Sequence, residues 1–178
     1  GHIICLGCNL HEQYDTICAD FSHMSRALVR HIMDQGHRNI AFIGSKHQHT
    51  KNPSFAARVI GYQTSMKMFD LEPETVLLSE GFENLHDDFA RWLDSCEAKG
   101  NRPTCLYVSG PNYVVRLMRI LDKLGISVPN DMSMAGFGYH GQEDELKNFD
   151  RYVTIIEPWN KIGLLAGQAI MSYAAHES

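Results

Sequence analysis

Residues 34–45 read DQGHRNIAFIGS, and this stretch decides the fold. Gly36 stands where the end of a helix wants a left-handed residue, and Asn39 to Gly44 then run as a short apolar block. A helix that stops on glycine and hands over to a continuous apolar strand is the junction of a layered α/β protein, whose strands are buried on both faces.

The same alternation extends in both directions. Strand candidates are HIICLG, TICA, NIAFIG, TVLLS, TCLYVS, SMAGF and YVTIIE. Between them lie stretches of helical period. Met24, Leu28 and Ile32 mark the first. Phe55, Val59, Tyr62, Met66 and Phe69 form the second, and Leu85, Phe89, Trp92 and Cys96 the third. Val114, Leu117, Met118, Leu121 and Leu124 make a fourth, and Ile162, Leu165, Ala166, Ala169, Ile170 and Tyr173 a fifth. Gly125 reads as a second C-cap, Asn84 with Asp87 as a capping box, and Pro158 as a first helical turn. Strands joined by helices of this length imply right-handed crossovers and a doubly wound parallel sheet. There is no internal repeat. The long irregular stretches are SKHQHTKNP and GYHGQEDELKNFDR.

Bulk composition narrows the function classes. The chain has 178 residues, 44% apolar and 21% charged, as an ordinary globular domain does. Its net charge of −5 argues against holding DNA or an anionic membrane by itself, because such binding rests on neutralising phosphates. Five cysteines, Cys5, Cys8, Cys18, Cys96 and Cys105, are an odd number, which excludes a complete disulfide framework and points to a reducing, cytoplasmic setting. Cys5 and Cys8 have CxxC spacing with His2 and His11 nearby, but no second pair completes the roughly four ligands zinc needs, so no metal or cofactor is expected. No segment reaches the ~18 apolar residues of a membrane span. The opening GHIICLG lacks the basic region and cleavage site of a signal peptide and, without an initiator Met, reads as an internal boundary of a longer chain.

In a doubly wound sheet the ligand sits beyond the carboxyl ends of the strands. That rule selects the loops after Gly44, Ser79, Ser109 and Gly136. The first carries Lys46, His47, His49 and Lys51, with Arg58 in the next helix. These residues read either as a cationic cup, in which Arg58 offers a forked donor pair to hydroxyls, a carboxylate or a phosphate, or as a solvated basic loop. Gly136-Phe137-Gly138 is too short a glycine pattern for a phosphate cradle and reads equally as a tight strand exit. Phe82, Tyr139 and His140 could stack a sugar ring or simply pack. The acidic stretch from Glu80 to Glu97 and the run QEDE read as solvated faces. No nucleophile elbow, paired acid and base, or HExxH is present, which argues against an enzyme.

Five segments together resemble the lactose- and galactose-repressor family of bacterial transcription regulators. They are DQGHRNIAFIGS, RVIGYQTSM, RPTCLYVSG, LGISVPNDMSMAGFGYH and VTIIEPWNKIGLLAGQAI, and they follow the family's order over nearly the whole chain. The resemblance implies a periplasmic-binding-protein-like core of two α/β lobes, here mainly the C-terminal lobe. Residues 1–12 would be the remnant of the first lobe and its crossover, 13–157 the second lobe, and 158–178 a helix returning to the first. It further implies a homodimer, a small-molecule effector, and operator DNA contacted only through a separate helix-turn-helix head. The helix from Tyr113 to Leu124 is a candidate dimer surface, or simply core.

In sugar-binding members an arginine corresponds to Arg58, an Asn-Asp pair follows the LYVS-like strand, and an aspartate follows Gly-Phe. Arg58 is kept, but the pair is Gly110-Pro111 and the aspartate is Gly138. Phe21 and Met24 stand where the family often has Asn and Gly. The expected ligand-binding set is therefore Arg58, Lys46, His47, His49, Phe82, Gly110, Gly138 and Tyr139. It would hold a sugar or a sugar-derived, anionic metabolite, or the cleft has lost sensing. A sugar-binding receptor of a transport system is the rival reading.

Overall fold

The computed structural model describes residues 3–7, 13–46, 52–79, 82–138 and 152–176. Five parallel strands form the main sheet: β3 (Ile40–Ser45), β4 (Glu74–Leu78), β5 (Cys105–Val108), β6 (Ser133–Gly138) and β7 (Tyr152–Ile156), in the order β4-β3-β5-β6-β7. Helices α1 (Phe21–Asp34) and α2 (Pro53–Met68) cover one face, and α3 (Phe82–Ala98) and α4 (Pro111–Lys123) the other. The doubly wound parallel sheet read from the sequence is thus the observed architecture.

The two cores follow the two-residue period of the strands. Ile40, Phe42, Cys105, Tyr107, Ala135 and Phe137 point to α1 and α2. Ala41, Ile43, Leu106, Val108 and Met134 point to α3 and α4. Helix stripes complete the layers. Phe55, Val59, Tyr62 and Met66 are buried, whereas Phe69, expected in the same stripe, caps the end of α2 and is exposed. The stripe of α4, including Val114, Leu117 and Leu121, is core, so a dimer using this helix would have to use its other side.

Capping explains where the helices begin and end. Asp20 accepts from the His23 N–H at 2.8 Å, and Asn52 from the N–H groups of Ser54 and Phe55 at 3.0 and 3.2 Å, with Pro53 in the first turn. Gly36 and Gly125 hold φ of +96° and +71°, the left-handed positions expected of them. The expected capping box fails. Helix α3 already begins at Phe82, which places Asn84 and Asp87 inside it.

One strand departs from the expected division. β2 (Asp15–Ile17), assigned to the second lobe by a boundary after residue 12, pairs in parallel with β1 (Ile4–Leu6) in a separate two-stranded sheet. Helix α5 (Trp159–His176) packs on that pair. The Trp159 ring lies against Gly7, where it would sit 2.7 Å from a Cβ and where φ is +90°, and the Tyr173 hydroxyl donates to the Asp15 carboxylate. Ile162 and Ala166 are buried on α5, but Leu164, Leu165, Ile170 and Met171 are exposed, Met171 by 71%. No helix among the described residues is long and apolar enough to cross a membrane.

Candidate functional site

The strand order places a topological switch between β3 and β5. The chain leaves β3 for β4 on one side, then crosses to β5 on the other, and in a doubly wound sheet such a switch is where a crevice at the strand tips takes the ligand. The Ser109 N–H donates to the Ile43 carbonyl at 2.9 Å across it. Ser45 and Ser109, the residues at those two tips, are both fully buried.

Arg58 reaches this crevice from the second turn of α2. Its Nη1 donates to the Ser109 carbonyl at 2.6 Å, and its Nη2 to Glu157 Oε1 at 2.9 Å. The guanidinium lies 4.3 Å from the Phe137 ring centre and 4.9 Å from that of Phe21. Both side chains of the ion pair are largely buried, Arg58 13% exposed and Glu157 6%. Such a pair persists only where extra hydrogen bonds offset the loss of water, and here the carbonyl and the two rings supply that support. Burial pushes the Glu157 carboxyl up from its ordinary range, and Arg58 opposes that shift.

The other end of Arg58 is equally fixed. Its carbonyl accepts from Ser25 Oγ at 2.7 Å, and Ser25 Oγ accepts from the Tyr107 hydroxyl at 2.8 Å. This chain ties α2 to α1 and to β5. It is allowed by Gly61, where a Cβ would collide with the Ser22 carbonyl and sit 2.7 Å from the Ser25 Cβ. The Ser109 hydroxyl, buried beside the carbonyl that receives Arg58, has no hydrogen-bond partner among the described residues.

Lys46 belongs to a second cluster at the tips of β3 and β4. Its ammonium is 3.7 Å from Asp88, which also binds Arg91 at 2.8 Å and accepts from Ser79 Oγ at 2.6 Å. The Ser79 hydroxyl is the main reason the Asp88 carboxyl titrates below its ordinary range, with Lys46 and Arg91 adding to it. The expected cationic cup is therefore, among the described residues, a set of cations each facing a carboxylate.

The remaining expected site residues divide plainly. Gly110 is the N-cap of α4 and Gly138 ends β6, so both stand at the tips with Arg58. Phe82 opens α3, but its side chain lies outside the described residues, as do His47, His49 and Tyr139 entirely. Sequence reasoning missed Glu157. The four loops that the strand-tip rule selects leave out the fifth tip, although a glutamate between the apolar TII run and Pro158 is itself a sign of a strand end.

Gly136 and Gly138 make a bare lip at the end of β6, and it has a steric cause. A Cβ on Gly136 would strike the Val108 carbonyl oxygen and lie 2.7 Å from the Tyr152 hydroxyl. A Cβ on Gly138 would lie 2.6 Å from Thr154 Oγ1. Side chains of β7 occupy the space that larger residues on the lip would need. Gly136→Ala is accordingly expected to destabilise by about 1–3 kcal/mol, read as a lower urea midpoint. Gly110→Ala, with nothing within 4 Å of its Cβ, should cost less, about 0.5–1 kcal/mol from the poorer N-cap that alanine gives α4.

Comparison with known proteins agrees with this geometry. Residues 29–175 match the family described as periplasmic binding protein-like domain. The chain is 21% identical over 167 residues to catabolite control protein A of Priestia megaterium, covering 94% of this chain and 49% of that protein. It is 26% identical over 127 residues to the transcriptional repressor PurR of Vibrio campbellii, covering 71% and 36%. It thus spans about half or less of the length of these curated relatives. Among solved structures it resembles the Escherichia coli repressor ascG, with a TM-score of 0.76, 16% identity and coverage of 96% of this chain and 60% of that one. It also resembles a LacI family regulator from Enterococcus faecium with bound ribose, at a TM-score of 0.76, 17% identity and coverage of 98% and 62%. The chain belongs to the periplasmic binding protein-like domain family, and its relatives there are the bacterial repressors of the LacI type.

Proposed function

We propose that this chain is the second lobe, with the strands and helix that link it to a first lobe, of the effector-binding and dimerising core of a LacI-type transcription regulator. It performs no catalysis. The effector is a small sugar or sugar-derived metabolite held at the strand tips around Arg58, Gly110 and Gly138, with Lys46, His47, His49, Phe82 and Tyr139 as its further contacts. Operator DNA is contacted through a separate head, in the cytoplasm, by a homodimer.

The observation that carries this reading is the division of the chain into a complete five-stranded lobe and an open unit of β1, β2 and α5. The open unit leaves Leu164, Leu165, Ile170 and Met171 to solvent on one helix. A globular domain buries such a face, and a first lobe resting on it would complete a hinged clamp. Ligand closure of that clamp changes the relation of the two lobes, and hence the spacing of paired DNA heads.

The test is made on the intact protein, with its own promoter region as the DNA. Footprinting is expected to show protection of a two-fold symmetric site, and a panel of sugars and sugar derivatives should contain a compound that changes DNA affinity by about tenfold or more. A protein that binds a sugar but protects no DNA would support the transport-receptor reading. The regulator identity of the sequence relatives favours the first outcome.

A further inference from the structure

We infer that Glu157 is a specificity-determining residue of the proposed effector site: its carboxylate cancels the charge of Arg58 at the strand tips and so turns anionic ligands away. This deepens the effector-site reading and rests on it. The guanidinium is the group at this crevice best suited to a carboxylate or phosphate, since it forks two donors toward one planar acceptor. One of its two terminal nitrogens is taken by Glu157 at 2.9 Å and the other by a backbone carbonyl at 2.6 Å. The rings of Phe21 and Phe137 flank it, so the pair sits where screening by water is weak. An arriving anion meets a buried pair of zero net charge and a fixed carboxylate only one hydrogen bond from the cation it seeks.

Two further observations point the same way. A cavity of about 400 Å³ adjoins Phe21 and the first turn of α2, lined by Cys18, Ala19, Asp20, Pro53, Ser54 and Ala57. Among the described residues its walls carry no cation, and the charged residue among them is an aspartate. Lys46, the other cation of the described tips that sequence reasoning assigned to the cup, faces Asp88. Uncharged, hydroxyl-bearing ligands are therefore favoured over the anionic metabolite that the sequence also leaves open, and Glu157 is the residue that enforces it.

Inorganic sulfate, titrated against chloride at matched ionic strength, tests this without knowledge of the effector. Thermal unfolding of the intact wild-type protein is expected to show no sulfate-specific stabilisation. Glu157→Gln, which keeps shape and removes charge, should bind sulfate about tenfold or more tightly than wild type, and Glu157→Gln combined with Arg58→Gln should lose that gain. Glu157→Ser serves if the glutamine variant does not fold. A folded variant with no gain overturns the inference. So does a sulfate-specific stabilisation of the wild-type protein itself, an arm that needs no variant to fold. Failure of the regulator reading is separate: it would appear as absent DNA protection and leave the sulfate result intact.

Discussion

Arg58→Ala is expected to lower the unfolding free energy by about 3–5 kcal/mol, among the largest losses available from a single polar substitution in this chain. The cost comes less from the contacts removed than from what remains. Glu157 would stay buried with its carboxylate charged and the guanidinium that balances it gone. Arg58 is also the influence that holds the Glu157 carboxyl down against burial. In the variant the folded-state titration therefore moves further above the ordinary value of 4.5.

The sign of the pH dependence follows from that shift. A carboxyl whose folded value is raised binds its proton more tightly in the native state, so the penalty is absent below the unfolded value and grows as pH rises toward the folded one. The stability gap between wild type and Arg58→Ala should be full near neutrality and shrink as pH falls toward 5, measured by urea unfolding across that range. Replacing both partners, as Arg58→Met with Glu157→Leu, should recover most of the loss, because no unpaired charge is left. A double variant as unstable as Arg58→Ala would mean that ring and carbonyl contacts, and not the orphaned carboxylate, carry the effect.

Phe42→Ala is expected to cost about 3–5 kcal/mol by a different route. Phe42 is fully buried and touches three rings, Phe55, Tyr62 and Tyr107, at centre distances of 5.6, 5.4 and 4.8 Å. Its removal leaves a cavity between β3 and the α1–α2 layer that these large, well-anchored rings cannot close. Tyr62 is held by donation to the Ile40 carbonyl at 2.7 Å and by the Glu74 N–H at 2.9 Å, and Tyr107 by Ser25. Phe42→Leu should cost about 1–2 kcal/mol.

The loss would also be felt at the strand tips. Tyr107 stacks on Phe137 at 6.3 Å, and Phe137 carries the Arg58 guanidinium. Phe42→Ala should therefore weaken effector binding in the intact protein as well as its stability. Gly136→Ala acts on the opposite face of the sheet, against the Val108 carbonyl and Tyr152, and should leave the Phe42 cluster in place. Comparing ligand affinity in the two variants separates the contribution of the aromatic layer from that of the lip.

Much of this architecture is legible without coordinates. Apolar runs and helical stripes mark the seven described strands and the described helices between them, and Gly36 and Gly125 end helices where expected. Arg58 arrives at the strand tips because a helix that follows a parallel strand must begin there. These features depend on periodicity and capping, which the chain expresses locally over a dozen residues. The failed capping box at Asn84 is the exception of the same kind, a short polar pattern that the helix simply runs through.

What the chain could not reveal locally was who meets whom. Glu157 lies 99 positions from Arg58, and their contact depends on β7 lying beside β6 while β5 lies beside β3. The pairing of β2 with β1, and not with the main sheet, is of the same type, since a three-residue strand carries no record of its neighbour. The amino-acid order alone determined the layers, the alternation of strand and helix, and an arginine at the carboxyl ends of the strands. Only the tertiary structure decided that this arginine faces an internal carboxylate between two aromatic rings, because charge balance at a buried site is set by distances across the sheet and not by spacing along the chain.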